Sequence, residues 1–245
     1  MMPENILFVF EGEKTEHIIT RDFATHFINN ESKTVVKVSF CGEIYQLYKK
    51  MAEDDFGIEF VDVFPLLQER DEDLRRYRRD DFSQIYLFFD YDPHATNASN
   101  EKIGELLEVF SQETDKGKLF VSYPMVESIR CFNGVEEDFM KLFIDLNDVP
   151  NFKRIVNDYA HKKYNNVPQW GIEIWNEVIN LHCKRANLIV NQSNVFPDCE
   201  IPQDLILNKQ VEYEASAKNV IVISAFPLML LSHYGQNTAE ILAQA

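Results

Sequence analysis

Apolar and polar positions alternate in two patterns along the first half of the chain. Ile6-Leu7-Phe8-Val9-Phe10 is an unbroken apolar run that stops at Glu11-Gly12. Such a run suits a strand buried on both faces of a parallel sheet. Ile19, Phe23 and Phe27 then recur at helical spacing. Thr34 to Phe40 reads as a strand, Ile44 to Met51 as a helix, and Ile58 to Val63 as a third strand. Leu66 to Arg79 is strongly charged and reads as a helix. Ile85-Tyr86-Leu87-Phe88-Phe89 is the clearest strand and ends in Asp90-Tyr91-Asp92-Pro93. Ile103 to Phe110 reads as a helix and Lys118 to Val121 as a short strand. Strands alternating with helices imply a parallel α/β sheet with right-handed crossovers.

The pattern changes after Cys131. Val135 to Leu146, Phe152 to Lys163, Ile172 to Val190, Gln203 to Ala217 and Val220 to Tyr234 all read as helices. The expected plan is an α/β domain over residues 1–132 with a mostly helical portion, residues 133–245, packed on it. Val220 to Leu231 is the longest apolar run. It is too short to span a bilayer and contains Pro227, so a buried helix is expected and no membrane association.

Composition narrows the function. Forty acidic residues against 24 basic ones give a net charge of -16. That field repels a bare phosphate backbone, so a nucleic-acid substrate needs bound metal, a local basic patch or a basic partner. Cys41, Cys131, Cys183 and Cys199 are widely spaced with no C-x-x-C, which disfavours a zinc ribbon or a disulfide framework. The start of the chain lacks a basic region and a small-residue cleavage site, so it does not read as a signal peptide, and a cytoplasmic location is expected. His17, His26, His94, His161, His182 and His233 show no zinc-binding spacing.

Candidate chemistry gathers just past the ends of the predicted strands. Glu11 follows the first strand, with Gly12 expected to allow a tight turn. Glu16 falls at the start of the next helix, where the helix dipole favours a carboxylate. Asp90 and Asp92 are two apart, so in extended backbone they point the same way. Glu127 follows the strand Lys118 to Val121 after Ser122-Tyr123-Pro124. In open parallel sheets this edge is where ligands bind. Ionised carboxylates crowded there repel unless a cation offsets them. Mg2+, or Mn2+ in its place, takes hard oxygen ligands and keeps waters for a substrate phosphate. Glu11 is the candidate to move a proton.

These residues resemble the TOPRIM (topoisomerase–primase) domain, with its glutamate-glycine pair after the first strand and D-x-D after a later apolar strand. Here those are Glu11-Gly12 and Asp90-Tyr91-Asp92. Glu11-Gly12-Glu13-Lys14-Thr15-Glu16 is similar to the opening block of the RloB-like group, related to the overcoming-lysogenization-defect (OLD) nucleases. Ser122-Tyr123-Pro124-Met125-Val126-Glu127-Ser128 is similar to a third block, with serine-tyrosine where asparagine is usual. The resemblance covers residues 5–132. It implies a Rossmann-like parallel sheet flanked by helices and a Mg2+-dependent nuclease acting on DNA or RNA, tRNA included. Glu11 would transfer protons; Asp90, Asp92, Glu16 and Glu127 would hold metal. It also implies antiviral defence beside a separate ABC- or SMC-type ATPase, since no P-loop occurs here.

Other readings stay open. Asp90 and Asp92 also suit a helix cap or Asx-turn. Lys14, Arg75, Arg76, Arg78 and Arg79 are candidate contacts to nucleic acid, while the arginines also suit pairing with Glu69, Asp71, Glu72 and Asp73 on an exposed helix. A D-x-D after an apolar strand is shared with haloacid-dehalogenase phosphatases, but Pro93-His94 and a position near residue 90 fit them poorly. A TOPRIM-shaped, inactive binding or regulatory subunit of an ATPase complex is the non-enzymatic alternative. The chain is a candidate homo-oligomer in either case.

Overall fold

The computed structural model describes residues 5–12, 14–28, 34–39 and 42–244. Glu13 of the opening block, Phe40 and Cys41 lie outside them. The chain divides into two units, Met1–Asp90 with Ala95–Phe120, and Tyr91–His94 with Val121–Ala245.

The first unit is α/β. In chain order it holds β1 (Asn5–Phe10), α1 (Thr15–Phe27), β2 (Thr34–Ser39), α2 (Ile44–Met51), α3 (Val63–Arg70), β3 (Phe82–Asp90), α4 (Asn100–Val109), β4 (Ser111–Gln112) and most of β5 (Gly117–Ser122), whose last two residues belong to the second unit. The strand order is β2-β1-β3-β5-β4. β1 runs parallel to both β2 and β3, and the short β4 is antiparallel to its neighbour β5, so the sheet is mixed but mostly parallel. Residues 6–10 of β1 and 85–89 of β3 are fully or almost fully buried, as unbroken apolar runs require in a sheet covered on both faces. Phe8, Phe10, Tyr86, Phe88 and Phe120 pack ring against ring across these strands. Gly117 has φ 122°, and a Cβ there would stand 2.6 Å from Leu87 Cδ1, so both conformation and space demand glycine.

Two expectations fail in this unit. Ile58 to Val63 is not a strand. Gly57 at φ 102° breaks the chain, Ile58–Phe60 form a single 3-10 turn, and Asp62 caps α3 by accepting the Phe64 N–H at 3.0 Å. Leu66 to Arg79 is not one helix. α3 stops at Arg70 because Asp71 turns extended and accepts the Asp73 N–H at 3.0 Å, starting a separate 3-10 turn over Glu72–Arg76.

The second unit is mostly helical, with α5 (Glu136–Met140), β6 (Phe143–Asp145), α6 (Phe152–Tyr159), α7 (Ile172–Asn191), α8 (Gln203–Ala217), β7 (Asn219–Ile221), α9 (Ala225–Tyr234) and α10 (Thr238–Gln244). Three of the expected helices are shorter than their apolar pattern. Val135 to Leu146 contains only α5 before β6, which pairs antiparallel with β7. Phe152 to Lys163 ends at Tyr159, and Ala160 is extended. Val220 to Tyr234 opens as a strand because Val220-Ile221-Val222-Ile223 are all β-branched, and only then becomes α9. Pro227 falls in the first turn of α9, where a missing N–H costs no helical bond. Trp170 and Trp175 pack edge to face at 4.9 Å in this unit. No helix among the described residues is long and apolar enough to cross a membrane.

Candidate functional site

Glu11, Glu16 and Asp90 are held in the first unit. Glu11 follows β1, and its backbone N–H continues the ladder by donating to Phe88 O at 3.2 Å. Its carboxylate Oε2 accepts the backbone N–H of Asp90, the last residue of β3, at 3.1 Å. Adjacent parallel strands thus bring the two acidic residues together at their carboxyl ends, where ligand-binding crevices form in open sheets. Glu16 lies in the first turn of α1, is buried, and takes the Gly12 N–H on Oε1 at 3.2 Å. A Cβ on residue 12 would stand 3.1 Å from Glu16 Oε2 and 3.2 Å from Oε1. Gly12 therefore makes room for a carboxylate. It does not have the positive φ that a tight turn would use. Lys14 is exposed just before α1.

Asp92 and Glu127 belong to the second unit. Asp92 has φ 24°, so the extended alternation expected to align it with Asp90 ends before it. Its Oδ1 accepts the His94 N–H at 3.2 Å, an Asx-turn, and its own N–H donates to Pro124 O at 3.2 Å. His94 Nε2 lies 2.7 Å from Leu146 O, which fixes the ring as a donor there. Glu127 lies in a 3-10 turn over Val126–Arg130, and its side chain is 7% exposed. Its Oε1 is ion-paired with Lys153 Nζ at 3.3 Å, and its Oε2 has no hydrogen-bond partner among the described residues. A lysine already offsets this carboxylate.

Lys153 and Tyr91 are the residues the sequence did not single out. Tyr91, between the two aspartates, is buried against Tyr123 with ring centroids 5.0 Å apart, and its hydroxyl donates to Glu214 Oε2 at 2.5 Å. The apolar-acidic alternation around Tyr91 was a signal for its burial. Nothing in the sequence pairs Lys153 with Glu127.

The arginine cluster divides. Arg79 donates to Phe82 O at 2.9 Å, Thr114 O at 3.0 Å and Asp115 O, so it ties the start of β3 to the β4–β5 turn. Arg75 binds Gln68 O and Glu72, and Arg76 lies over the Tyr77 ring at 5.2 Å. Arg78 is 84% exposed, with only a 3.8 Å approach to Asp81. Of the four acids expected to pair with the arginines, Glu72 pairs with Arg75, while Glu69 pairs with Lys50. All four arginines precede the amino end of β3, whereas Asp90 closes its carboxyl end. Nine residues at about 3.3 Å each put the two ends roughly 26 Å apart. Arg79, bound to Phe82 O, is thus at the opposite end of β3 from Asp90.

Among the described residues, no three His, Cys, Asp or Glu side chains are placed to hold a metal ion. The described residues thus form no closed, all-protein cage. Mg2+ uses one or two carboxylates and fills its remaining positions with water and phosphate. Glu11 and Asp90 lie at neighbouring strand ends, joined through the Asp90 backbone N–H, and Glu16 is buried beside Gly12. No protein-family model matches the chain, and comparison with curated proteins and with solved structures also finds no match.

Proposed function

We propose that the chain is a divalent-cation-dependent phosphodiester hydrolase of TOPRIM type, cleaving DNA or RNA. What supports this reading is one contact, the Glu11 carboxylate on the Asp90 N–H at the carboxyl ends of neighbouring parallel strands. The contact holds the carboxylate of one acid and the backbone of the other, at the edge where open α/β sheets bind ligands.

Glu11 and Asp90 would hold Mg2+ or Mn2+, with Glu16 as a further carboxylate. The cation would stabilise charge on phosphate oxygens and acidify a bound water. Glu11 is oriented by its backbone contact and is the residue to carry a proton. The TOPRIM resemblance also assigns Asp92 and Glu127 to metal, but both belong to the second unit and Glu127 is ion-paired with Lys153, so the proposal rests on Glu11, Asp90 and Glu16 of the first unit. The net charge of -16 fits a substrate delivered by cations or by a partner, in line with a phage-defence role beside a separate ATPase.

The test is incubation of plasmid DNA and of tRNA with Mg2+ or Mn2+. Cleavage by the wild type that chelator stops and Asp90→Asn abolishes is the expected result. Equal cleavage by Asp90→Asn would reject the assignment.

A second reading has an observation in its favour. Glu11 and Glu16 each accept a backbone N–H, so both also serve as structural braces. A non-catalytic subunit of an ATPase complex would need no more. Full biological function in a Glu11→Gln chain would select this reading.

A further inference from the structure

Asp90 is held by backbone bonds on both sides. Its own N–H donates to Glu11 Oε2 at 3.1 Å, within the first unit. The next N–H, that of Tyr91, donates to Ser122 O at 2.9 Å, within the second unit. The two peptide planes that meet at the Asp90 Cα set its φ and ψ, and so the direction in which its carboxylate leaves the backbone. The downstream plane begins the segment Tyr91–His94, which is anchored at both ends to the carboxyl end of α8. At one end the buried Tyr91 hydroxyl donates to Glu214 Oε2 at 2.5 Å. At the other, His94 Nε2 meets Leu146 O at 2.7 Å, and the Leu146 N–H donates to Lys218 O at 2.8 Å. The two anchors are joined, because the Lys218 N–H closes α8 on Glu214 O at 3.0 Å. All of these anchoring contacts lie within the second unit.

We propose that Tyr91 and Glu214 are positioning residues for Asp90. Their bond holds the segment, and through it the Asp90–Tyr91 peptide, in the orientation that aims the Asp90 carboxylate. A hydroxyl on a carboxylate at 2.5 Å is at the short, charge-assisted end of hydrogen bonding. The donor ring is itself packed on Tyr123, with centroids 5.0 Å apart, so the hydroxyl has little freedom to leave its acceptor. The backbone of the segment points the same way. Asp92 is a non-glycine residue at φ 24°, a conformation that persists only where its surroundings over-determine it. The Asp92 N–H on Pro124 O and the two anchors to α8 supply that constraint. The carboxyl end of α8 thereby sets an acid at the end of β3, which gives the second unit a means of regulating the site. That this acid binds a cation rests on the function proposed above; that its backbone is held through Tyr91 does not.

Amide hydrogen exchange of the full chain, followed residue by residue by NMR, tests it beside Mn2+ titration. Tyr91→Phe keeps the ring and removes the hydroxyl. The N–H groups of Asp90 and of residue 91 should then exchange about tenfold faster, while that of Leu87, inside the same strand, should not change. Glu214→Leu should give the same acceleration. Glu214→Gln keeps an acceptor oxygen for the hydroxyl and should stay close to the wild type. Tyr91→Phe combined with Glu214→Leu should add nothing to either alone, because both remove one contact. Mn2+ affinity should fall by about tenfold in Tyr91→Phe and hold in Glu214→Gln. Unchanged exchange at Asp90 in Tyr91→Phe would overturn the proposal. So would acceleration spread evenly along β3, which marks lost stability alone, or Mn2+ bound equally well by the wild type and Tyr91→Phe. A wild type that binds no Mn2+ would sink the cation reading instead, and the exchange at Asp90 would still decide the positioning.

Discussion

The carboxylate of Glu11 accepts the backbone N–H of Asp90 at 3.1 Å. The contact joins the residue after one strand to the last residue of its parallel neighbour. It holds one acid and fixes the backbone of the other, so changes at Glu11 act on the fold and, under the proposed function, on the chemistry too.

Glutamine and alanine at position 11 should separate these two effects. Glu11→Gln keeps an acceptor oxygen but removes the charge. It should fold with near wild-type stability and lose metal-dependent cleavage by about a hundredfold or more. Glu11→Ala should lose the same activity and also about 1 kcal/mol of stability, because the Asp90 N–H loses this acceptor. Urea titrations beside cleavage rates check both. Equal stability of the two variants would contradict the bracing role.

Gly12→Ala tests the packing of the acidic block. The added methyl would stand 3.1 Å from Glu16 Oε2, closer than ordinary contact. The Glu16 side chain can swing away, so the stability loss should be about 1 kcal/mol or less, while Mn2+ affinity should fall. Unchanged Mn2+ affinity would remove Glu16 from the metal-binding set.

Arg79 and Arg78 should behave as opposites. Arg79→Ala strips donors from three backbone carbonyls and should cost about 1–3 kcal/mol. Arg78→Ala removes an exposed side chain with a loose 3.8 Å ion pair, and should stay within about 0.5 kcal/mol. Thermal denaturation of the two variants measures the contrast.

His182 gives the second unit an acid-sensitive core. Its Nδ1 accepts the Ser224 N–H at 3.0 Å, and burial pushes its pKa down from 6.5 to about 3. The neutral ring is the folded form, whereas the unfolded chain takes up a proton near 6.5. Its contribution is therefore complete above about pH 6.5 and is lost as pH falls from there towards about 3. His182→Phe should be less stable than wild type near about pH 8, by about 1–3 kcal/mol for the Ser224 N–H left without this acceptor. The gap should close on acidification. Parallel pH–stability curves would contradict this.

Much of the first unit was legible because its strands are unbroken apolar runs. β1, β3 and β5 stand where Ile6 to Phe10, Ile85 to Phe89 and Lys118 to Val121 mark them, and α2 and α8 match their apolar patterns to the residue. The errors came where one polar side chain redirected the backbone. Asp62 and Asp71, each capping a turn, undid the strand at Ile58 to Val63 and the long helix at Leu66 to Arg79. Val220 to Ile223 was misread by hydrophobicity alone, although its β-branched run marks a strand. At the candidate site, the positions of Glu11 and Asp90 at strand ends were legible, whereas the hydrogen bond between them depends on β1 and β3 being neighbours, which no local pattern encodes. Alignment of Asp92 with Asp90 assumed an extended backbone that φ 24° denies. The Lys153–Glu127 pair joins residues far apart in sequence, and no local pattern encodes it.

The central claim is that the acids at the ends of β1 and β3 bind a divalent cation. Calorimetric titration with Mn2+ tests it most directly, comparing wild type with Glu11→Gln/Asp90→Asn. The expected result is saturable binding by the wild type and a loss of about tenfold or more in affinity in the folded double variant. Equal binding by the two chains would contradict the account, as would a wild type that binds no Mn2+.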